Sequence, residues 1–423
     1  MSIHKAIGGS RTVVFLFGAL VGFAPAAIAQ KLDLNRLVVV GDSLAAGVEN
    51  DSLEASQQIH SFAAVIARQA RTDLVLPWVP YPGAPNTLEL VSPAFPPVIQ
   101  AVPGTLLFPR LDPFAIVTDL AVPLQTTADA LNRIPDSNIN TTDEVQAATD
   151  LVLGFPCPVL FPCPGKSQAE WAVALKPTTL IVEIGSNDIL GALTSGEAAT
   201  VLSDPAAFIA TFAGNYTALL SALSTTKATL IVTTIPDVTR AAYFIPIPEI
   251  AQATGLSALA VATALGTGES DLVTLAALPA VEEILSGAIS GPLPATCGGS
   301  VPCVVTAAEA AGVRGIIQEM NLAIAANAVG FHAVVVDLFP LFDSLYTNGY
   351  TIGSHTLTTG FLGGLFSLDG LHPTNTGYAI MANQYIATLN AVFHTHIEPA
   401  NVAQVAACDP LVLTHIGPCF LGL

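Results

Sequence analysis

Residues 37–47 constrain the fold of this chain more than any other stretch. Residues 37–40 are apolar and mostly β-branched, which predicts a buried strand, and Gly41, Asp42 and Ser43 follow at once. A serine at the carboxyl end of a buried strand lies where open α/β sheets carry their chemistry. Taken alone, the same residues are equally typical of a turn in which Asp42 and Ser43 are local caps.

Two later stretches add polar side chains that can take part in acid–base chemistry. Residues 179–184 predict another buried strand, which is followed by Gly185 and Asn187. Further along, Asp369 and His372 lie three positions apart. That spacing lets the carboxylate accept from one imidazole nitrogen while the other nitrogen faces a nucleophile. The alternatives are a turn residue for Asn187, and a helix cap beside a surface histidine for the Asp-x-x-His pair.

Predicted strands and helices alternate along much of the chain. Further strands are predicted over residues 115–122, 229–233 and 333–337, and helices over residues 204–223, 306–329 and 376–392. This alternation predicts an α/β fold on a doubly wound parallel sheet. Two stretches interrupt it: residues 77–113 are rich in proline and glycine, and residues 241–300 are apolar and helical. We interpret both as insertions, the second of which either lines the site or extends the core.

The first 29 residues are typical of a secretory signal. Lys5 and Arg11 precede the apolar run 13–23, and small residues at Ala27 and Ala29 suit a cleavage site before residue 30. Cleavage would leave a single domain, residues 30–423. We expect a secreted protein, extracellular or periplasmic, without a stable membrane span.

The chain is strongly acidic, with a formal net charge of −19. Residues 1–29 contain two positive charges and no negative ones, so their removal gives −21. Nucleic-acid binding requires a basic face, and docking on anionic lipid also requires positive charge. We therefore expect neither kind of partner.

The six cysteines fall in three close pairs. In an exported chain an even number predicts disulfides, and six cysteines allow 15 pairings. We favour local pairing because each pair flanks loop sequence rich in proline or glycine. None of the pairs has the C-x-x-C spacing of a zinc site. The expected disulfides are Cys157–Cys163, Cys297–Cys303 and Cys408–Cys419.

Taken together, the motifs Gly-Asp-Ser-Leu at 41–44, Gly-Ser-Asn-Asp at 185–188 and Asp-Gly-Leu-His-Pro at 369–373 resemble the GDSL or SGNH hydrolase family. The resemblance implies a three-layer, flavodoxin-like α/β/α fold with about five parallel strands. It also implies ester hydrolysis without a metal or cofactor. Ser43 would be the nucleophile, His372 the base and Asp369 its partner. The Ser43 backbone N–H and the Asn187 side chain would bind the oxyanion.

The sequence departs from the family at a second oxyanion donor, where a glycine often follows Val-Pro. The best counterpart here is Val122-Pro123-Leu124, which puts Leu124 at the glycine position. Leucine has the N–H but resists a positive φ, so the donor could be displaced. Gly83 is the rival candidate; it keeps the glycine but lacks a strong strand and helix around it.

We interpret the chain as an exported serine hydrolase that acts on apolar acyl esters, either small molecules or lipids. One alternative is a carbohydrate O-deacetylase on the same fold. Another is a catalytically idle exported binding protein, for which the leucine at position 124 is the only support. The sequence does not predict the oligomeric state.

Overall fold

The central sheet has four parallel strands, Leu37–Gly41, Thr179–Glu183, Thr229–Thr233 and Val334–Val336, in that spatial order. They belong to a computed structural model that describes residues 31–136, 141–154 and 165–419. Val38 lies opposite Leu180, and Leu180 lies opposite Leu230. The first two strands are buried throughout, as expected of parallel strands covered on both faces. The predicted α/β fold is confirmed.

The expected fifth strand is reduced to one bridge. Val39 pairs in parallel with Asp119, and the backbone N–H of Val122 donates to the Gly41 carbonyl at 3.1 Å. The N–H groups of Thr118 and Asp119 both donate to the carbonyl of Val75 instead of extending the ladder. Counting this segment, the strand order is the flavodoxin-like 2-1-3-4-5.

Helices cover the sheet in two groups. Pro205–Ser224 and Ala307–Phe331 pack on one another, and Phe62–Ala70 packs on Asn375–Phe393. With the sheet between them, these groups make the three α/β/α layers. The other helices of the described residues, each of at least four residues, are Ser43–Ala46, Ala55–Gln58, Thr127–Asn132, Glu144–Leu153, Gln168–Leu175, Ser186–Thr194, Ala198–Ser203, Ile247–Thr254, Ala258–Leu265, Leu278–Leu285, Phe339–Asn348 and Val402–Cys408.

Within the described ranges, one helix, Pro205–Ser224, could cross a membrane by length and composition alone. Its residues Phe212, Tyr216, Leu219 and Leu223 are buried in the main core. Their spacing of four, three and four positions places them on one face. This is the burial pattern of a helix that covers the core of a globular domain.

The insertion 241–300 has its own small core. Its strands Phe244–Pro246 and Leu272–Thr274 pair with each other and with Val304–Val305. Ile250, Val261 and other apolar side chains of its helices form a second hydrophobic cluster. Tyr243 and Leu275 of this insertion also line a cleft beside Asp369.

The insertion 77–113 is mostly irregular and contains one antiparallel hairpin, Leu88–Ser92 with Val98–Ala101. Two of the expected disulfides, Cys297–Cys303 and Cys408–Cys419, are present. The third expected pair and the expected signal, residues 1–29, lie outside the described residues. From Leu32 onward the chain forms one compact unit.

Candidate active site

Ser43 lies at the carboxyl end of the first strand and begins the short helix Ser43–Ala46. Asp42 caps this helix, its Oδ1 accepting from the Leu44 N–H at 3.1 Å. The helix ends at Gly47, which has a φ of +78°. Ser43 is buried except for 7% of its surface, and its backbone N–H has no hydrogen-bond partner among the described residues. The tight cap thus presents the hydroxyl and a free N–H together.

Asp369 and His372 form a hydrogen-bonded pair, with His372 Nδ1 lying 3.1 Å from Asp369 Oδ2. The backbone N–H groups of Leu371 and His372 donate to Oδ1 at 2.7 and 2.8 Å. Burial opposes the ionisation of Asp369, but the charge of His372 and these hydrogen bonds outweigh it and hold its pKa at about 2. Asp369 is therefore ionised and orients the imidazole.

Two further groups hold Asp369, and the sequence did not reveal them. The Ser367 hydroxyl donates to its Oδ2 at 2.9 Å, and the backbone N–H of Asp51 donates to the same oxygen at 2.6 Å. Asn50 accepts from the Leu368 N–H and donates its own N–H to Ser367 Oγ. The turn at Asn50 and Asp51 therefore fixes the loop that carries Asp369.

Burial of the imidazole would lower the pKa of His372, but nearby carboxylates outweigh that effect. Asp369 contributes most, followed by Asp51 and Asp42, and together they raise the pKa of His372 above its usual value. A more basic imidazole is a better acceptor for a serine proton and stabilises the imidazolium that results.

Ser43 and His372 line the same two cavities, one of about 50 Å³ and one of about 530 Å³. In the described structure no hydrogen bond joins the Ser43 hydroxyl to the His372 ring. Hydrogen bonds between catalytic residues are often long before substrate binds. The relation between Ser43 and His372 therefore rests on their lining the same cavities. Asp369, His372 and Ser43 are thus brought together from opposite ends of the chain.

Asn187 lies in the first turn of helix Ser186–Thr194. This helix begins directly after Gly185, whose φ is +126°. It lines the smaller cavity together with Ser43. Its Nδ2 donates to the Gln125 carbonyl at 3.1 Å. An amide carries two N–H groups, so one remains to point at a substrate oxygen.

Leu124 adopts a positive φ, which leucine usually resists. Its φ is +68°, its side chain is 43% exposed, and it lines the larger cavity with Ser43. Its backbone N–H has no partner in the described part of the chain. The N–H of the rival Gly83 already donates to the Pro80 carbonyl at 2.9 Å. The geometry therefore favours Leu124 as a donor over Gly83.

A buried amide network supports the loop at Leu124. The Gln168 side chain donates to the carbonyl of Gly41 at 2.9 Å and accepts from its N–H at 2.8 Å. Gln168 also donates to Gln125 Oε1 at 2.6 Å, and Gln125 Nε2 donates to Thr149 Oγ1. These side chains tie the loop after residue 124 to the strand that leads to Ser43.

Asp42 and Glu183 form a buried carboxyl pair beneath Ser43. Burial raises the pKa of Asp42 to about 7, and burial and the charge of Asp42 raise the pKa of Glu183 well above its usual value. If both were ionised, Asp42 Oδ2 and Glu183 Oε2 would lack partners. A side-chain hydrogen bond between the two carboxyls raises the pKa of Glu183 further and opposes the rise in the pKa of Asp42.

Within residues 31–136, 141–154 and 165–419, no group of three or more His, Cys, Asp or Glu side chains is placed to hold a metal ion.

No curated protein matches the sequence significantly. Three solved structures are similar, each 12% identical: LAE5, an alpha/beta hydrolase enzyme from the metagenome of Lake Arreo, Spain; TesA; and phospholipase A1 from Streptomyces albidoflavus NA297. They cover 86%, 84% and 85% of this chain and 99%, 98% and 99% of their own, with TM-scores of 0.38, 0.32 and 0.34. We draw no functional conclusion from likeness at these values.

The family comparison is more informative because it spans the three motifs. The match to GDSL-like lipase/acylhydrolase covers residues 37–385, which include Ser43, Asn187, Asp369 and His372. The chain belongs to the GDSL-like lipase/acylhydrolase family.

Proposed function

We propose that this hydrolase cleaves carboxylic esters with Ser43 as nucleophile, His372 as base and Asp369 as the group that orients His372. The observation that carries the proposal is that an ionised Asp369 is bonded to a histidine that lines the same two cavities as Ser43. The raised pKa of His372 supports its role as base, because a serine hydroxyl needs a neighbouring acceptor for its proton.

In the first half-reaction His372 accepts the Ser43 proton while Ser43 Oγ bonds to the ester carbonyl carbon. The carbonyl oxygen gains negative charge and accepts from the N–H groups of Ser43 and Leu124 and from the Asn187 amide. His372 then gives its proton to the alcohol oxygen, the ester bond breaks, and Ser43 keeps the acyl group. Water, deprotonated by His372, releases the acid in the second half-reaction and restores Ser43.

We also propose that the protein is exported. The sequence of residues 1–29 supports this, as do the Cys297–Cys303 and Cys408–Cys419 disulfides. Disulfides persist mainly in oxidising compartments.

The test is hydrolysis of p-nitrophenyl esters by the wild type, Ser43→Ala and His372→Ala. Each variant should lose on the order of 10³-fold or more in kcat/KM while its circular dichroism stays unchanged. A serine-directed phosphonate should label Ser43 in the wild type. The matched control is Ser221→Ala, which changes an exposed serine on helix Pro205–Ser224. Full activity in Ser43→Ala would end the proposal.

A further inference from the structure

The two cavities that share Ser43 and His372 differ about tenfold in volume, about 50 Å³ against about 530 Å³. We propose that the larger one binds the acyl chain of the ester and that the smaller one takes a short alcohol part. The preferred substrates are then esters of medium-length aliphatic acids with small alcohols. This inference rests on the proposed ester hydrolysis through Ser43.

The wall of the larger cavity suits an uncharged aliphatic chain. Leu53, Pro123, Ala148 and Leu151 are among the side chains that line it, and its volume lies in the range of small-molecule sites. Burial of each CH₂ of a chain against such a wall strengthens binding about fourfold. The affinity of the cavity for the acyl chain therefore rises with each carbon added until the cavity is full.

The charged groups of the same cavity exclude anionic acyl chains. Apart from His372, the titratable side chains that line it are the carboxylates Asp51 and Glu144, both exposed at the surface. Among the described residues, no lysine or arginine lines it. A second carboxylate on the acyl part would meet like charges without a cation to compensate them.

Microscopic reversibility decides which part of the ester lies on which side. In deacylation the attacking water takes the place that the alcohol oxygen left, next to His372. A liquid water occupies about 30 Å³ and needs polar partners. The smaller cavity has Ser186, Asn187 and His372 in a wall that is otherwise mostly apolar, and its volume admits a water or a short alkyl group but not a long alkyl chain. The acyl chain, which stays on Ser43 through both steps, therefore lies in the larger cavity.

A third cleft, of about 600 Å³, lies between Asp51, Tyr243, Leu275 and Asp369. Neither Ser43 nor His372 lines it. An acyl chain bonded to Ser43 does not enter it directly, which makes its residues suitable for a matched control.

The experiment varies the two halves of the ester separately. One series has methyl esters from acetate to dodecanoate, and the other has butanoate esters of methanol to octanol; acid release is followed in both. Ala148→Phe, on helix Glu144–Leu153, fills the larger cavity and should lower the hexanoate-to-acetate ratio of kcat/KM at least 10-fold. Leu151→Ala enlarges the cavity and should raise the dodecanoate-to-hexanoate ratio. Neither should alter the dependence on alcohol length.

The control is Ala276→Phe, the same substitution at an exposed alanine in the third cleft, and it should leave both series unchanged. Unfolding temperatures establish that the variants are folded. If Ala148→Phe changes the alcohol series and not the acyl series, the assignment is reversed and the inference is wrong. A response to Ala276→Phe in place of Ala148→Phe would also overturn it. If Ser43→Ala is inactive but neither Ala148→Phe nor Leu151→Ala changes the acyl series, this inference alone is wrong. If Ser43→Ala is active, the proposed function is wrong.

Discussion

The backbone N–H of Asp51 donates to Oδ2 of Asp369 at 2.6 Å, although the two residues are 318 positions apart. The N–H points there because Asn50 and Asp51 both adopt left-handed backbone angles, with φ of 54° and 58°. Asn and Asp tolerate this conformation better than other residues with a Cβ. The turn after helix Ser43–Ala46 thus fixes the carboxylate of Asp369, far along the chain.

Ser367→Ala should lower kcat roughly 10-fold with little change in KM. The variant removes one of the hydrogen bonds to the charged Asp369, a bond worth about 1.5–3 kcal/mol, and Ser367 lines none of the three cavities described above. The control is Ser61→Ala, which removes a buried helix cap and should reduce stability alone. Unchanged kcat in Ser367→Ala would show that the other donors suffice to hold Asp369.

Asp51→Asn should move the acid limb of log(kcat/KM) to lower pH. The base must be neutral, so activity falls as pH drops through the pKa of His372, which Asp369, Asp51 and Asp42 raise. Asparagine removes one of these charges and keeps the backbone N–H that binds Asp369. Glu144→Gln, at the other carboxylate of the larger cavity, should move the limb less. A limb that shifts to higher pH in Asp51→Asn would contradict this electrostatic account.

Asn187→Ala should lower kcat about 10²–10³-fold with KM little changed, because it removes a donor that acts on charge present only in the transition state. Measurement of kcat and KM on one p-nitrophenyl ester is sufficient. Gly83→Ala tests the rival loop. The φ of Gly83 is +92° and an added Cβ would collide with Ser52 Oγ, so this variant should have a lower unfolding temperature. A larger fall in kcat for folded Gly83→Ala than for Asn187→Ala would favour the rival.

The sequence contains the strands and the order of the motifs, and these follow from local patterns. Residues 37–40 are apolar, residues 179–184 are apolar except for Thr179 and Glu183, and glycine follows each run, so their burial and the position of Ser43 and Asn187 could be predicted. The GDSL resemblance then connected Ser43 to Asp369 and His372.

The supporting contacts could not be predicted, because they join residues that no local pattern relates. Gln125 and Gln168 are 43 positions apart and are ordinary polar residues until the fold buries both. Leu124 has a positive φ, although residues with a branched side chain usually avoid that region. The fifth strand was overpredicted because Thr118 and Asp119 donate to Val75 and not to a neighbouring strand.

Cys157 and Cys163 should form the third disulfide. Their separation of six positions equals that of Cys297 and Cys303, which are bonded. Peptide mapping of the purified protein without reduction should recover residues 157 and 163 in one cross-linked peptide. Two alkylated free thiols at these positions would contradict the pairing.

Asp119→Asn should make the stability of the protein less sensitive to pH. Asp119 is fully buried and only its Oδ1 has a hydrogen-bond partner among the described residues, the Ala121 N–H, so burial raises its pKa from 3.8 to about 8. Between these values the folded state binds a proton that the unfolded state has released, so stability falls as pH rises from about 4 to about 8 and is level above that. The wild type should therefore lose a few degrees of unfolding temperature relative to Asp119→Asn between pH 5 and pH 8.

Asp42 and Glu183 act in the same direction in both proteins, so the difference between the two melting series isolates Asp119. The exposed Asp73→Asn is the matched control and should reproduce the wild-type series. Parallel series for the wild type and Asp119→Asn would mean that Asp119 does not carry this proton.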